Sequence, residues 1–205
     1  MWRKAGGEAL DHRKYLRSLP EKGPAQAAVL DTSVFRNRSA IRKAYLHALR
    51  RATRSIYITN AYFLPDSGIL HAIRDAKKRG VEVAVMLPAA SDVMMVRYAS
   101  RALYPRLLRW GVEIYEFQSH MLHAKTAVVD GIWSTVGSCN LDHRSFRLNQ
   151  EANLVFLDEE IGTNLLNLFQ EDKRHCVKID IDSFEKRSIV ERAIEYICYF
   201  FRTWL

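Results

Sequence analysis

At 205 residues the chain has room for one well-packed domain with appendages and excludes two full-sized ones, and a 48% hydrophobic content suits a globular core. A formal net charge of +8, from 31 Lys and Arg against 23 Asp and Glu, favours anionic partners, so nucleic acid and acidic phospholipid are both eligible. No run of about 18 apolar residues offers a membrane span, and Cys139, Cys176 and Cys198 form neither a Cys-x-x-C pair nor a zinc spacing, which favours a reducing compartment.

Residues 1 to about 28 are polar, lack a signal-peptide core and are broken by Gly6, Gly7, Pro20, Gly23 and Pro24, so they read as a linker-like lead-in. Ser39 can cap a helix in which Ile41, Tyr45, Ala48, Leu49 and Ala52 recur at helical spacing, with Arg42, Lys43, Arg50, Arg51 and Arg54 opposite. A strand Ser55 to Asn60 follows, then a helix from Gly68 to Arg79 stopped by Gly80, and a strand Val81 to Leu87. One long helix is expected from Asp92 to Trp110, ending at Gly111 before a strand Val112 to Phe117. This alternation predicts an α/β fold with a central mixed, largely parallel sheet flanked by helices.

Close-set strands come next: His123 to Asp130, Ile132 to Val136 and Glu151 to Phe156, with a covering helix over Asp158 to Lys173. The domain is expected to occupy residues 29–175, leaving 176–205 as an aromatic, amphipathic C-terminal helix. From Phe184 onward that tail carries Tyr196, Tyr199, Phe200, Phe201 and Trp204. On a helix, Val190, Ala193, Ile194, Ile197, Cys198, Phe201 and Leu205 share one face, fit for a bilayer interface or for packing on protein, with Arg192, Glu195 and Arg202 on another. The acid-free run Val93 to Val112, with Arg97, Arg101, Arg106 and Arg109, would suit anionic headgroups or a nucleic-acid backbone.

The chemistry concentrates between His123 and Phe156. His123 and Lys125 lie two apart on an expected strand, so both side chains leave one face. Gly137-Ser138-x-Asn140 follows the next strand, where glycine permits close backbone approach and Ser138 and Asn140 offer short polar arms. Glu151 lies nearby and could take the second imidazole N–H of His123. An imidazole nucleophile, a cationic phosphate anchor, neutral donors and an orienting carboxylate can together transfer a phosphoryl group without a metal.

His123-x-Lys125-x4-Asp130-x6-Gly137-Ser138-x-Asn140 fixes six residues within 18, too many for chance, and resembles the HKD signature of the phospholipase D superfamily. The stretches ITNAYFLP, LHAIRDAKKRGVEV, TVGSCNLDHRSFRLNQEANL and the tail FFRTWL are similar to the carboxyl-terminal half of bacterial cardiolipin synthases. The resemblance implies a phospholipase D-like sandwich with a single HKD domain and the catalytic set His123, Lys125, Asp130, Ser138, Asn140 and Glu151. In that scheme His123 forms a phosphohistidine or protonates the leaving alcohol. Lys125 and Asn140 hold the phosphate oxygens, Ser138 supports them and Glu151 orients the imidazole. Asp130 belongs to the signature, but a structural role is expected because it ends its strand away from His123 and Lys125.

The implied activity is phosphatidyl transfer between phospholipids through a phosphohistidine, with no cofactor or metal. Phosphatidylglycerol and the membrane surface would be its partners, on the cytoplasmic, inner face of the cell membrane; nucleic acid ranks below them. A full site of the family needs two HKD motifs and this chain has one. His47, His71, His120, His143 and His175 lack a lysine two residues on, and His12 has Lys14 but nothing further. The second half would come from a separate N-terminal half or from a homodimer mate. The alternatives are a dimeric single-motif phosphodiesterase or nuclease, and an inactive half-enzyme.

Overall fold

The computed structural model describes residues 6–8, 23–32 and 40–204. In chain order the elements are β1 (Gln26–Asp31), α1 (Ala40–Arg51), β2 (Ser55–Asn60), α2 (Ser67–Lys78), β3 (Glu82–Pro88), α3 (Met94–Arg101), α4 (Tyr104–Arg109) and β4 (Glu113–Phe117). They continue with β5 (Lys125–Val129), β6 (Trp133–Gly137), α5 (His143–Arg147), β7 (Ala152–Leu157), α6 (Glu159–Lys173), β8 (Cys176–Lys178), α7 (Ile181–Glu185) and α8 (Ile189–Phe200).

All eight strands join one sheet in the order β1-β7-β6-β5-β2-β3-β4-β8. The mixed sheet was expected; its largely parallel character was not correct. Only β2–β3 and β3–β4 run parallel, and the other five neighbour pairs are antiparallel. Parallel neighbours need a crossover long enough for a helix, which α2 and the α3–α4 segment supply. The three residues between β5 and β6 are too few for that.

Period-two alternation divides the sheet residues between two cores. Ile56, Ile58, Val83, Val85, Ile114 and Val129 face the layer built from α1 to α4. Tyr57, Ala84, Met86, Tyr115 and Phe117 face the other way, where Phe169 of α6 packs on them. Asp66 starts α2 by accepting from the amides of Gly68 and Ile69 at 2.8 and 3.1 Å. The proposed cap of α1, Ser39, lies outside the described residues, as do most of the lead-in, His12 and Leu205.

Four further expectations are corrected. β1 begins at Gln26, inside the stretch read as linker, because its hydrogen bonds come from β7 and leave no signature in its own short sequence. β8 occupies Cys176–Lys178, inside the expected C-terminal helix, and it pairs with the edge of β4. The tail is two helices, α7 and α8, rather than one. The single helix expected over 92–110 is also two: α4 opens with Pro105, which has no amide hydrogen to continue the helix before it.

α8 packs on α3. Glu195 and Cys198 face inward, while Val190, Ile194, Ile197 and Phe201 stay exposed. Glu195, 3% exposed, lies between Arg101 at 3.2 Å and Arg187, and Arg101 also bonds Glu116 at 2.7 Å. Arg101 is therefore not a surface cation, and Arg109 pairs with Glu185 at 2.5 Å.

Candidate active site

The register puts the chemistry at one end of the sheet. Asn60 at the end of β2 faces Lys125 at the start of β5, and Gly137 at the end of β6 faces Asn153 at the start of β7. The loop after β3 leaves from the same end. In sheets of this kind, ligands sit outside the carboxyl ends of the parallel strands.

Lys125 is 5% exposed and donates from Nζ to the His123 carbonyl at 2.7 Å. Burial pushes its ammonium below the usual lysine range, against the opposing pull of Glu151, Asp92 and Asp142. His123 itself lies just before β5 rather than on it, and its residue is exposed. The expected strand alternation therefore applies to Lys125 only, while the lysine's own bond ties the two residues together.

The Gly137-Ser138-x-Asn140 turn is built around a carboxamide from β7. A Cβ on Gly137 would meet Asn153 Oδ1 at 2.3 Å and the Ala152 carbonyl at 2.4 Å, so only glycine fits. Asn153 Oδ1 accepts from the Cys139 amide at 3.2 Å, and its Nδ2 donates to Thr135 Oγ1 at 3.0 Å. From the other side, Asn60 Oδ1 accepts from the Leu141 amide at 3.1 Å. Two buried asparagines thus fix residues 139–141. The Asn140 side chain, 8% exposed, has a carboxamide oxygen with no hydrogen-bond partner among the described residues. Cys139 between them is fully buried, and burial raises its thiol well above the usual range, so it is not a nucleophile.

Glu151 supports the same turn. Its Oε2 accepts from Ser138 Oγ at 2.5 Å, and its Oε1 accepts from Ser145 Oγ at 3.1 Å and Asn149 Nδ2 at 3.3 Å. Its amide donates to Thr32 Oγ1 at 2.8 Å, which fastens it to the end of β1. Among the described residues no hydrogen bond joins Glu151 to His123; the carboxylate expected to orient the imidazole holds Ser138 instead. A carboxylate on the His123 side is Asp92, in the loop after β3. It is held below the usual range first by the Tyr62 hydroxyl, which donates to it at 2.6 Å, with His123 as a further contributor.

Asp130 lies at the opposite end of β5. It has φ 56°, and its carboxylate accepts from Thr53 N, Thr53 Oγ1, Arg54 N and Ser55 N at 2.7 to 2.9 Å. It closes the turn between α1 and β2 and points at nothing in the His123 group. Sequence reasoning missed Asn60, Tyr62, Asp92 and Asn153. Of these, only the asparagines had a signal, as carboxamides inside apolar strands. Among the described residues no group of three or more His, Cys, Asp or Glu is placed to hold a metal ion.

A cleft of about 210 Å3 opens beside Asn140, lined also by Tyr62, Asp142, Arg144, Asn149 and Trp204. A cationic anchor, an exposed imidazole and neutral hydrogen-bonding groups thus converge on an open edge, as transfer of an anionic phosphoryl group requires.

Residues 45–173 match the family described as cardiolipin synthase, PLD-like domain. The chain is 40% identical over 161 residues to cardiolipin synthase A of Yersinia pseudotuberculosis and of Yersinia pestis, covering 78% of this chain and 33% of the relative. It therefore spans about a third of the length of these curated relatives. In fold it is similar to Nuc, a phospholipase D family member from Salmonella typhimurium, with TM-score 0.65, 20% identity and coverage of 76% of this chain and 99% of that one. It is also similar to phosphatidylserine synthase from Haemophilus influenzae Rd KW20, with TM-score 0.67, 14% identity and coverage of 86% and 45%.

Proposed function

We propose, from the premise that this chain belongs to the cardiolipin synthase, PLD-like domain family, that it supplies one half of a phosphatidyltransferase site working through a phosphohistidine. The observation that carries the reading is that buried Lys125 and Asn140 and exposed His123 and Ser138 lie at one end of the sheet.

In the first displacement an imidazole nitrogen of His123 attacks the phosphorus of phosphatidylglycerol. The phosphorus–oxygen bond to the headgroup breaks, and glycerol leaves with a proton from the histidine of the second half. In the second, the hydroxyl of another phosphatidylglycerol gives its proton to that histidine and attacks phosphorus; the phosphorus–nitrogen bond breaks and the imidazole is restored. The roles of the two histidines can be exchanged. Lys125 and Asn140 hold the equatorial oxygens throughout, and Ser138, fixed by Glu151, supports them. No metal enters this scheme. The second half comes from a separate N-terminal half or from a second copy of the chain. Among the described residues no helix is long and apolar enough to cross a membrane, and the proposed location is peripheral, on the inner face of the cell membrane.

The test measures oligomeric state and turnover of phosphatidylglycerol in EDTA on one preparation, with His123→Ala as control. Cardiolipin and glycerol in equal amounts, lost in the variant, support the transferase. Phosphatidic acid alone, or cleavage of an oligonucleotide in its place, would turn the assignment to a dimeric phosphodiesterase. A monomer without turnover points to the separate second half.

A further inference from the structure

A second cavity, of about 610 Å3, lies on the other side of the segment that carries Asn140. Asn140, Asp142 and Arg144 line the smaller cleft, whereas His143 between them lines the larger one. Its wall brings together cations from three separate elements, Arg74 of α2, Arg106 of α4 and Arg202 just beyond α8, with His71 of α2 also in the lining. The acidic residue of the wall, Asp66, is already engaged by Arg42 and by the amides of Gly68 and Ile69. Arg106 has no ion pair among the described residues. Arg74 pairs only with its exposed neighbour Asp75, at 3.1 Å, and Arg202 bonds the Tyr199 carbonyl at 3.2 Å with its guanidinium over the Tyr199 ring. Among the described residues Arg106 and Arg202 are thus gathered with no carboxylate paired to them, beside an Arg74 that pairs with its neighbour Asp75, in a room large enough for a headgroup.

The surroundings indicate the source of the anion. Trp110 and Tyr199 contribute to the wall. The tail that supplies Tyr199 and Arg202 to the wall also exposes Ile197 at 60%, Phe200 at 74% and Trp204, which lines the smaller cleft, at 81%. A polar, cationic cup next to bare apolar and aromatic side chains matches the level at which phosphates meet acyl chains.

We propose that this cavity seats the phosphate of an anionic membrane phospholipid, at a site separate from His123. The choice of a lipid over a free phosphate ester rests on the phosphatidyltransferase reading; the cationic cavity does not.

The experiment reads binding, so that loss of catalysis and loss of this site are distinguishable. Flotation with vesicles of equal phosphatidylglycerol and phosphatidylcholine is compared for the wild type, for Arg74→Gln/Arg106→Gln/Arg202→Gln, and for the charge-matched Lys43→Gln/Arg50→Gln/Arg51→Gln on α1. In parallel, fluorine NMR of 5-fluorotryptophan protein follows Trp110, assigned with Trp110→Phe. It is titrated with short-chain phosphatidylglycerol and separately with inorganic phosphate. The expected result is a loss of vesicle affinity of about tenfold or more in the cavity variant and a clearly smaller loss in the control. The Trp110 signal should move with the lipid at concentrations where inorganic phosphate leaves it in place. Equal losses in the two variants, or a silent Trp110, would overturn the site; an equal response to inorganic phosphate would overturn the lipid.

Discussion

Lys125 and Asp130 belong to one short signature and do opposite kinds of work. Lys125 is buried with its ammonium beside the His123 backbone, so its charge is fixed where phosphate oxygens would gather. Lys125→Met keeps the stem and removes the charge, and turnover of phosphatidylglycerol should fall about 10²–10³-fold. Because burial lowers the lysine's proton affinity, wild-type activity should decline with rising pH before the ordinary lysine range of about 10.4 is reached. Asp130 acts on stability. Partial burial opposes its ionisation, but the Ser55, Thr53 and Arg54 amides together hold it below the usual carboxylate range. With the folded value depressed, its contribution is complete above the unfolded value of about 3.9 and disappears as pH falls through the folded one. Asn tolerates the left-handed backbone at this position, so Asp130→Asn isolates the charge. At pH 7 it should cost about 1–2 kcal/mol in urea unfolding, discounted for exposure, and the gap to wild type should narrow toward pH 3. The candidate site residues were legible because His123 and Lys125 lie two apart and Gly137-Ser138-x-Asn140 follows, a local spacing that the sequence itself displays. Asn60 and Asp130 find their backbone partners 75 to 81 residues away, and no local spacing records such a bond.

At the scale of elements, legibility followed the source of the stabilising bonds. β2 was readable to the residue because its alternation is its own, and α6 because its period and Asp158 cap are local. β1 and β8 owe their existence to the strands beside them, and α5 is a single capped turn of five residues. α8 is the sharpest case. Its apolar stripe was open to a bilayer interface or to packing on protein; most of it stays exposed, and Glu195 turns inward with Cys198, because Arg101 and Arg187 wait there. Glu195→Ala would leave two largely buried guanidinium groups facing each other and should cost about 3–5 kcal/mol. Hydrogen exchange should locate the loss: amides of α8 lose protection first, while those of β2 and β5 keep theirs. Equal loss across the sheet would mean that α8 is not a separable layer.

At the scale of the molecule the question is where the second histidine comes from. The described residues form one eight-stranded sheet, the sequence carries a single HKD motif, and the chain spans 33% of the Yersinia relatives. On the proposed mechanism a second HKD unit completes the site, either from another copy of the chain or from a separate half, and subunit mixing separates the two. If two copies share one site, equal amounts of wild type and His123→Ala, allowed to exchange, give about one quarter wild-type dimers. These hold about half of the wild-type chains, so activity per wild-type chain should drop to about half that of wild type alone. If each active chain needs only itself, dilution with the variant leaves that activity unchanged. If the partner is a different N-terminal half, neither mixture turns over until that half is supplied, and His123→Ala then competes for it without exchanging into wild-type pairs. The shape of the mixing curve therefore reports how many copies of His123 one site contains, independently of which phospholipid it consumes.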